Sequence, residues 1–131
     1  MKAIIIDDSR AIRVILRKIL MGLGIEVLEA ENGQDAIIKI AQNGVPEIAL
    51  VDWNMPVMNG LDFVKAARVL ENLKGMKIMM VTTEAEMDKM ILALESGANE
   101  YVMKPFTKEV IIEKLSLLGV LDHDQNTSSH C

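Results

Sequence analysis

The stretch Ile48-Ala49-Leu50-Val51-Asp52 decides the fold. Four consecutive apolar residues bounded by Pro46 upstream and a polar loop downstream read as a short strand buried on both faces. Such a strand belongs to a parallel sheet covered by helices on both sides, and parallel neighbours need helical crossovers between them. Both crossovers are legible. Upstream, Asn32-Gly33 leads into Ala36, Ile37, Ile40 and Ala41 at helical spacing before Asn43-Gly44-Val45-Pro46 ends the run. Downstream, the loop Trp53 to Gly60 gives way to Leu61, Val64, Ala67 and Leu70, again on one helical face.

The same unit recurs along the chain. Ala3-Ile4-Ile5-Ile6 runs into Asp7-Asp8, which places a first strand at residues 2–7, and Ser9 caps a helix striped by Ile12, Ile15, Leu16, Ile19 and Leu20. Gly22 and Gly24 close that helix, and Ile25 to Ala30 form a second strand. Lys77 to Val81 make a fourth strand ending on Thr82-Thr83, followed by a helix over Glu86 to Ser96 that Gly97 terminates. Glu100 to Met103 are the fifth strand, and Thr107 caps a last helix carrying Val110, Ile111, Leu115 and Leu118. Five strands alternating with five helices predict a doubly wound α/β fold with a five-stranded parallel sheet.

Composition narrows the function. With 131 residues, half of them hydrophobic, the chain suits one compact domain. A net charge of −5 with no basic block argues against nucleic acid as a partner. No apolar run approaches the roughly 18 residues of a membrane span, so a soluble protein without membrane contact is expected. The single cysteine, Cys131, excludes an internal disulfide and suits a reducing, cytoplasmic setting. Four aromatic residues leave the ten methionines to supply adaptable packing or partner-facing surface.

In an open parallel sheet, polar chemistry gathers at the carboxyl ends of the strands. The polar residues at those ends are Asp7 and Asp8, Asp52, Thr82 and Thr83, and Lys104. Three carboxylates on one rim repel one another, and a bound cation, a raised pKa or a nearby positive side chain relieves this. Mg²⁺ is the natural ion, with Mn²⁺ the alternative, and Asp8 and Asp52 are its expected direct ligands. Asp52 can then attack a phosphoryl group and carry it as an aspartyl phosphate, with Lys104 as a point charge for its oxygens and Thr82 as a hydroxyl donor that finds its acceptor only once the phosphoryl group is present. Any one of these aspartates alone is more often a helix cap or a solvated turn residue. Capping does not account for the whole set, and least of all for the lysine.

Asp7-Asp8-Ser9, the run Val51-Asp52-Trp53-Asn54-Met55-Pro56-Val57-Met58-Asn59-Gly60, Thr82, and Tyr101-Val102-Met103-Lys104-Pro105-Phe106 together resemble the receiver domain of two-component response regulators, over about residues 1–119. The resemblance implies a flavodoxin-like, CheY-like strand order of 2-1-3-4-5. It also implies that Asp52 is phosphorylated by a histidine kinase, with Asp8 binding the metal directly, Asp7 through water, and the Asn54 backbone carbonyl as a further ligand. Thr82 and Tyr101 map onto the family's paired switch residues, Tyr101 rotating inward as Thr82 moves toward the phosphoryl group. The Lys104-Pro105 peptide is expected to be cis. Trp53, Asn54, Glu84 and Tyr101 resemble the stand-alone chemotaxis type. Asn54 and Glu84 are polar and can hold an attacking water, which predicts a short-lived phosphorylated state. Thr83 is bulkier than the small residue usual there, which predicts slower access for phosphodonors.

A receiver domain over residues 1–120, followed only by a short polar tail expected to be disordered, signals by binding rather than through a fused effector. The expected partners are a kinase resembling CheA and an effector such as the flagellar motor switch or a phosphatase, the unphosphorylated protein being a monomer. The chain is expected to be no enzyme beyond its own phosphotransfer and dephosphorylation. The resemblance places the partner face on the fourth helix, fifth strand and fifth helix, with Met87, Met90, Tyr101, Lys108 and Ile112. In the stripe Met87, Met90, Ile91 and Leu94, the expectation is that Ile91 and Leu94 face inward while Met87 and Met90 are partly exposed. His123, His130 and Cys131 are spaced too loosely for a metal site. Two other readings stay open: a phosphorelay shuttle serving a histidine phosphotransfer protein, and a haloacid-dehalogenase-type phosphatase, whose second aspartate is here Asn54.

Overall fold

The computed structural model describes residues 1–121. Five strands, β1 (Lys2–Ile6), β2 (Glu26–Ala30), β3 (Ile48–Val51), β4 (Lys77–Thr82) and β5 (Glu100–Met103), form one parallel sheet in the order β2-β1-β3-β4-β5. The crossovers are α1 (Arg10–Gly22), α2 (Gly33–Asn43), α3 (Gly60–Val69) and α4 (Met87–Ser96), and α5 (Lys108–Leu117) follows β5. Each expected element is present within two residues of its predicted bounds. The periodicity gave no sign of a single 3-10 turn, Glu71–Leu73, between α3 and β4. His123, His130 and Cys131 lie outside the described residues, as does the tail as a whole.

The two-residue repeat of the strands divides the core in two. Ile4, Ile6, Ala49, Val51, Ile78 and Met80 point to one face and pack with Ala36, Ile40, Phe63, Val64, Ala67 and Ala93. Ala3, Ile5, Ile48, Leu50, Met79 and Val81 point to the other, against Leu16, Leu20, Ile111 and Leu115. Both faces of β3 are therefore sealed, as its unbroken apolar run requires. Methionine does act as core filler at Met76, Met79 and Met80, all buried.

Helix starts follow local chemistry. The side chains of Ser9, Asn32, Asn59 and Thr107 each accept a hydrogen bond from the backbone N–H three residues on. α4 is the exception, because its N-cap Glu86 makes no side-chain cap bond and only Ala93 of the helix is fully buried. Its apolar stripe also departs from expectation. Ile91 and Leu94, expected inside, are 45% and 44% exposed, whereas Met87 is exposed and Met90, packed against the core, is partly exposed, as expected of both. The helix lies close to its neighbours through the small side chain of Ala93, so Met90, three residues earlier on the same face, turns inward and the larger residues turn out.

At the opposite end of the sheet from the acidic rim, Arg68 clasps three segments. Its guanidinium donates to the carbonyls of Gly97 (3.0 Å), Leu73 (3.1 Å) and Lys74 (3.2 Å), and to Asn99 Oδ1 (2.9 Å), which also accepts from the Ile78 N–H. Burial lowers the Arg68 pKa. Gly97 sits at φ 124° with the Arg68 stem in the space a Cβ would take, so both the backbone angle and the contact demand glycine. Arg68→Ala is expected to lower unfolding free energy by about 2–3 kcal/mol, measured by urea denaturation, and Arg68→Lys to recover little, since an ammonium lacks the planar fork.

Candidate functional site

Each strand that carries site chemistry ends abruptly at the same rim. Asp7 follows β1, Asp52 follows β3, Thr82 closes β4, and Lys104 follows β5. The parallel pairing aligns these ends, with Ile6 opposite Val51 and Thr82 opposite Met103. One carboxylate oxygen from each of Asp7, Asp8 and Asp52 lies within 4.8 Å of the others. Asp7 and Asp52 are buried while Asp8 is exposed, so the cluster opens to solvent on one side.

A single ammonium offsets part of this charge. Lys104 Nζ lies 2.9 Å from Asp7 Oδ2 and 3.5 Å from Asp52 Oδ2, with the lysine side chain only 12% exposed. Asp7 is further fixed through Oδ1, which accepts from the Ser9 N–H at 2.8 Å. Its backbone carbonyl accepts from Arg13 at 2.6 Å, and Arg13 and Arg17 are both paired with Glu29 of β2. The sequence reading missed Arg13. Its place one turn into a helix that starts beside two aspartates was the available signal.

Asp52 is held from its own loop. Its Oδ1 accepts from the Trp53 N–H at 2.8 Å, and the loop returns so closely that Gly60 N donates to the Trp53 carbonyl at 2.8 Å. A Cβ at Gly60 would stand 2.1 Å from the Asp52 carbonyl oxygen, so the approach itself requires glycine. Within the loop, Met58 N–H donates to the Pro56 carbonyl at 2.7 Å around Val57, whose φ of 68° is strained for a β-branched residue. Trp53 is buried beside the cluster.

Residues 3–116 match the family model for the response regulator receiver domain. The chain belongs to that family. Among its relatives, the chemotaxis protein CheY1 of Helicobacter pylori is 45% identical over 124 residues, covering 93% of this chain and 100% of that protein. A CheY homolog of Campylobacter jejuni is 44% identical over 116 residues, 88% of this chain and 89% of that one. The solved structure of the chemotaxis response regulator CheY4 of Vibrio cholerae is similar with a TM-score of 0.81 at 37% identity, covering 92% and 98% of the two chains.

The receiver's β4–α4 loop joins the rim to α4. Thr82 is fully buried, and its hydroxyl oxygen accepts from the Glu84 N–H at 3.2 Å. Tyr101 is buried too, its hydroxyl donating to the Glu84 carbonyl at 2.6 Å. Tyr101 thus points inward in this structure, and of the five residues assigned to the partner face it is buried and Met90 is partly exposed. Met87 is 66% exposed and Lys108 is exposed, while Ile112 is half-buried. Asn54 is exposed on the loop after β3, and Lys104-Pro105 is cis.

Burial, then the charges of Glu84 and Asp52, push the Tyr101 phenol up to about 12. The unfolded phenol ionises near pH 10, so the folded state retains a proton that the unfolded state loses. Stability from this source is complete below about pH 10 and is lost as pH rises toward about 12. Tyr101→Phe should flatten that alkaline limb in a Tm-against-pH series. Gly60→Ala is expected to cost more than about 2 kcal/mol in urea denaturation, because the intruding methyl must displace the Asp52 backbone.

Proposed function

We propose that this receiver is a phosphorylation-driven switch, most simply a chemotaxis regulator, in which Asp52 accepts a phosphoryl group from a histidine kinase and the phosphorylated form binds an effector. One observation carries the reading: a buried aspartate stands beside a lysine and two further carboxylates at the shared carboxyl ends of the strands. The relatives named CheY support the chemotaxis assignment. That no helix among the described residues is long and apolar enough to cross a membrane is compatible with it.

The acid cluster suits a small hard cation. Three carboxylates with one ammonium leave excess negative charge, and carboxylate oxygens are the donors Mg²⁺ prefers. Asp8 and Asp52 would hold the ion directly, with Asp7 through water and the Asn54 carbonyl as the remaining contributions from the chain. When bound, Mg²⁺ supplies charge neutralisation at the phosphoryl oxygens.

The remaining work falls to side chains. An Asp52 carboxylate oxygen forms the bond to phosphorus as the donor's bond to phosphorus breaks, and the departing electron pair stays on the donor. Lys104, already within 3.5 Å of Asp52 Oδ2, offers its ammonium to the arriving oxygens. Thr82 accepts from Glu84 with its oxygen, so its O–H remains available to donate to the phosphoryl group. Drawing Thr82 toward that group loosens its hold on Glu84, to which Tyr101 is also bonded. The phosphoryl charge is thereby passed to α4 and β5, where Met87, Ile91 and Leu94 face solvent as adaptable apolar contacts for an effector.

Incubation with acetyl phosphate and Mg²⁺ is expected to add one phosphoryl group to the intact mass and to change Trp53 fluorescence. Both effects should be absent in Asp52→Asn and without Mg²⁺. A wild-type protein unchanged in both readouts overturns the reading.

A further inference from the structure

Glu84 is gripped by all three of its polar groups. Its N–H goes to Thr82, its carbonyl accepts from Tyr101, and its carboxylate Oε2 lies 3.2 Å from Lys89 Nζ on the first turn of α4. The first two bonds come from residues of the switch. The third comes from neither the rim nor β5. Lys89 is the only side-chain partner of that carboxylate among the described residues, and the Glu84 side chain is 15% exposed. The carboxylate is therefore held along α4 and makes no hydrogen bond to Asp52, Asn54 or Lys104.

We propose that Lys89 is a positioning residue that lengthens the life of the phosphorylated state by holding the Glu84 carboxylate on α4, an inference that rests on Asp52 being the phosphoacceptor. Hydrolysis of the aspartyl phosphate forms a bond from a water oxygen to phosphorus. It breaks the phosphorus bond to Asp52, whose carboxylate leaves with the electron pair, and both protons of the water remain on the dihydrogen phosphate released. A carboxylate free to accept a hydrogen bond from that water orients its lone pair toward phosphorus. The Lys89 ammonium competes for the same carboxylate oxygens. While the ion pair is made, Glu84 is withheld from the water.

The ion pair is half-exposed on the lysine side, so it adds little to stability, which separates a kinetic role from a structural one. The experiment loads wild type, Lys89→Ala, Lys89→Arg, Glu84→Gln and the double variant Lys89→Ala/Glu84→Gln with acetyl phosphate and Mg²⁺. After the donor is removed by desalting, loss of the phosphoryl group is followed by intact mass at low salt. Lys89→Ala should decay about two- to fivefold faster than wild type, the factor that the coupling of such a pair translates into. Lys89→Arg should restore the wild-type rate, and the Lys89→Ala change should vanish in the Glu84→Gln background, with all thermal midpoints alike. An unchanged or slower decay in Lys89→Ala, or the same acceleration without Glu84, overturns the positioning role. A wild type that takes up no phosphoryl group overturns the phosphoacceptor reading beneath it, an outcome recognisable before any decay is timed.

Discussion

One ammonium between two buried carboxylates is the interaction around which the rest of the receiver is arranged. Asp7 and Asp52 are almost wholly out of solvent, and bringing two such charges together is unfavourable unless a cation stands between them. Lys104 meets that need only because β5 runs parallel to β4 and delivers its next residue to the same rim as β1 and β3. The strand order, the sealed faces of β3 and the close return of the loop at Gly60 all bear on that meeting point. Arg13 and Ser9 fix Asp7 from the α1 side, so the lysine finds a carboxylate that cannot turn away.

The second organising feature is the loop after β4. A buried threonine and a buried tyrosine, on adjacent strands, hold the N–H and carbonyl of a single residue. Such an arrangement ties the backbone of Glu84 to both strands at once, at the entrance to α4. The raised pKa of Tyr101 reflects the same closeness, since the charges that raise it after burial belong to Glu84 and Asp52.

How much of the molecule can be read from its residues alone depends on the reach of each signal. The strands were readable because a short apolar run that stops at an aspartate suits a buried strand ending at a polar rim and little else, and the helices because Ser9, Asn32 and Thr107 announce their starts locally. The acidic rim followed from topology, since parallel strands align their carboxyl ends. In α4 the inward placing of Ile91 and Leu94 failed because apolar residues occur at 87, 90, 91, 92, 93 and 94, which covers most of the helix circumference and gives periodicity no face to choose. The deciding factor was the smallness of Ala93. Arg68 was not legible at all, because three of its four acceptors are backbone carbonyls and its most distant partner is 31 residues away. Lys89 was equally silent, because nothing local in the sequence ties a lysine on one turn of a helix to an acid in the loop before it.

That α4 buries only one residue completely has a bearing on how such a domain can diversify. A helix whose outward side chains carry little of the folding free energy is a surface on which substitutions are judged by what they bind rather than by whether the chain folds. Met87, Ile91 and Leu94 can be exchanged while the rim, the sheet and the Arg68 clasp stay intact. A lineage carrying this architecture can acquire a new listener without having to relearn how to receive the message.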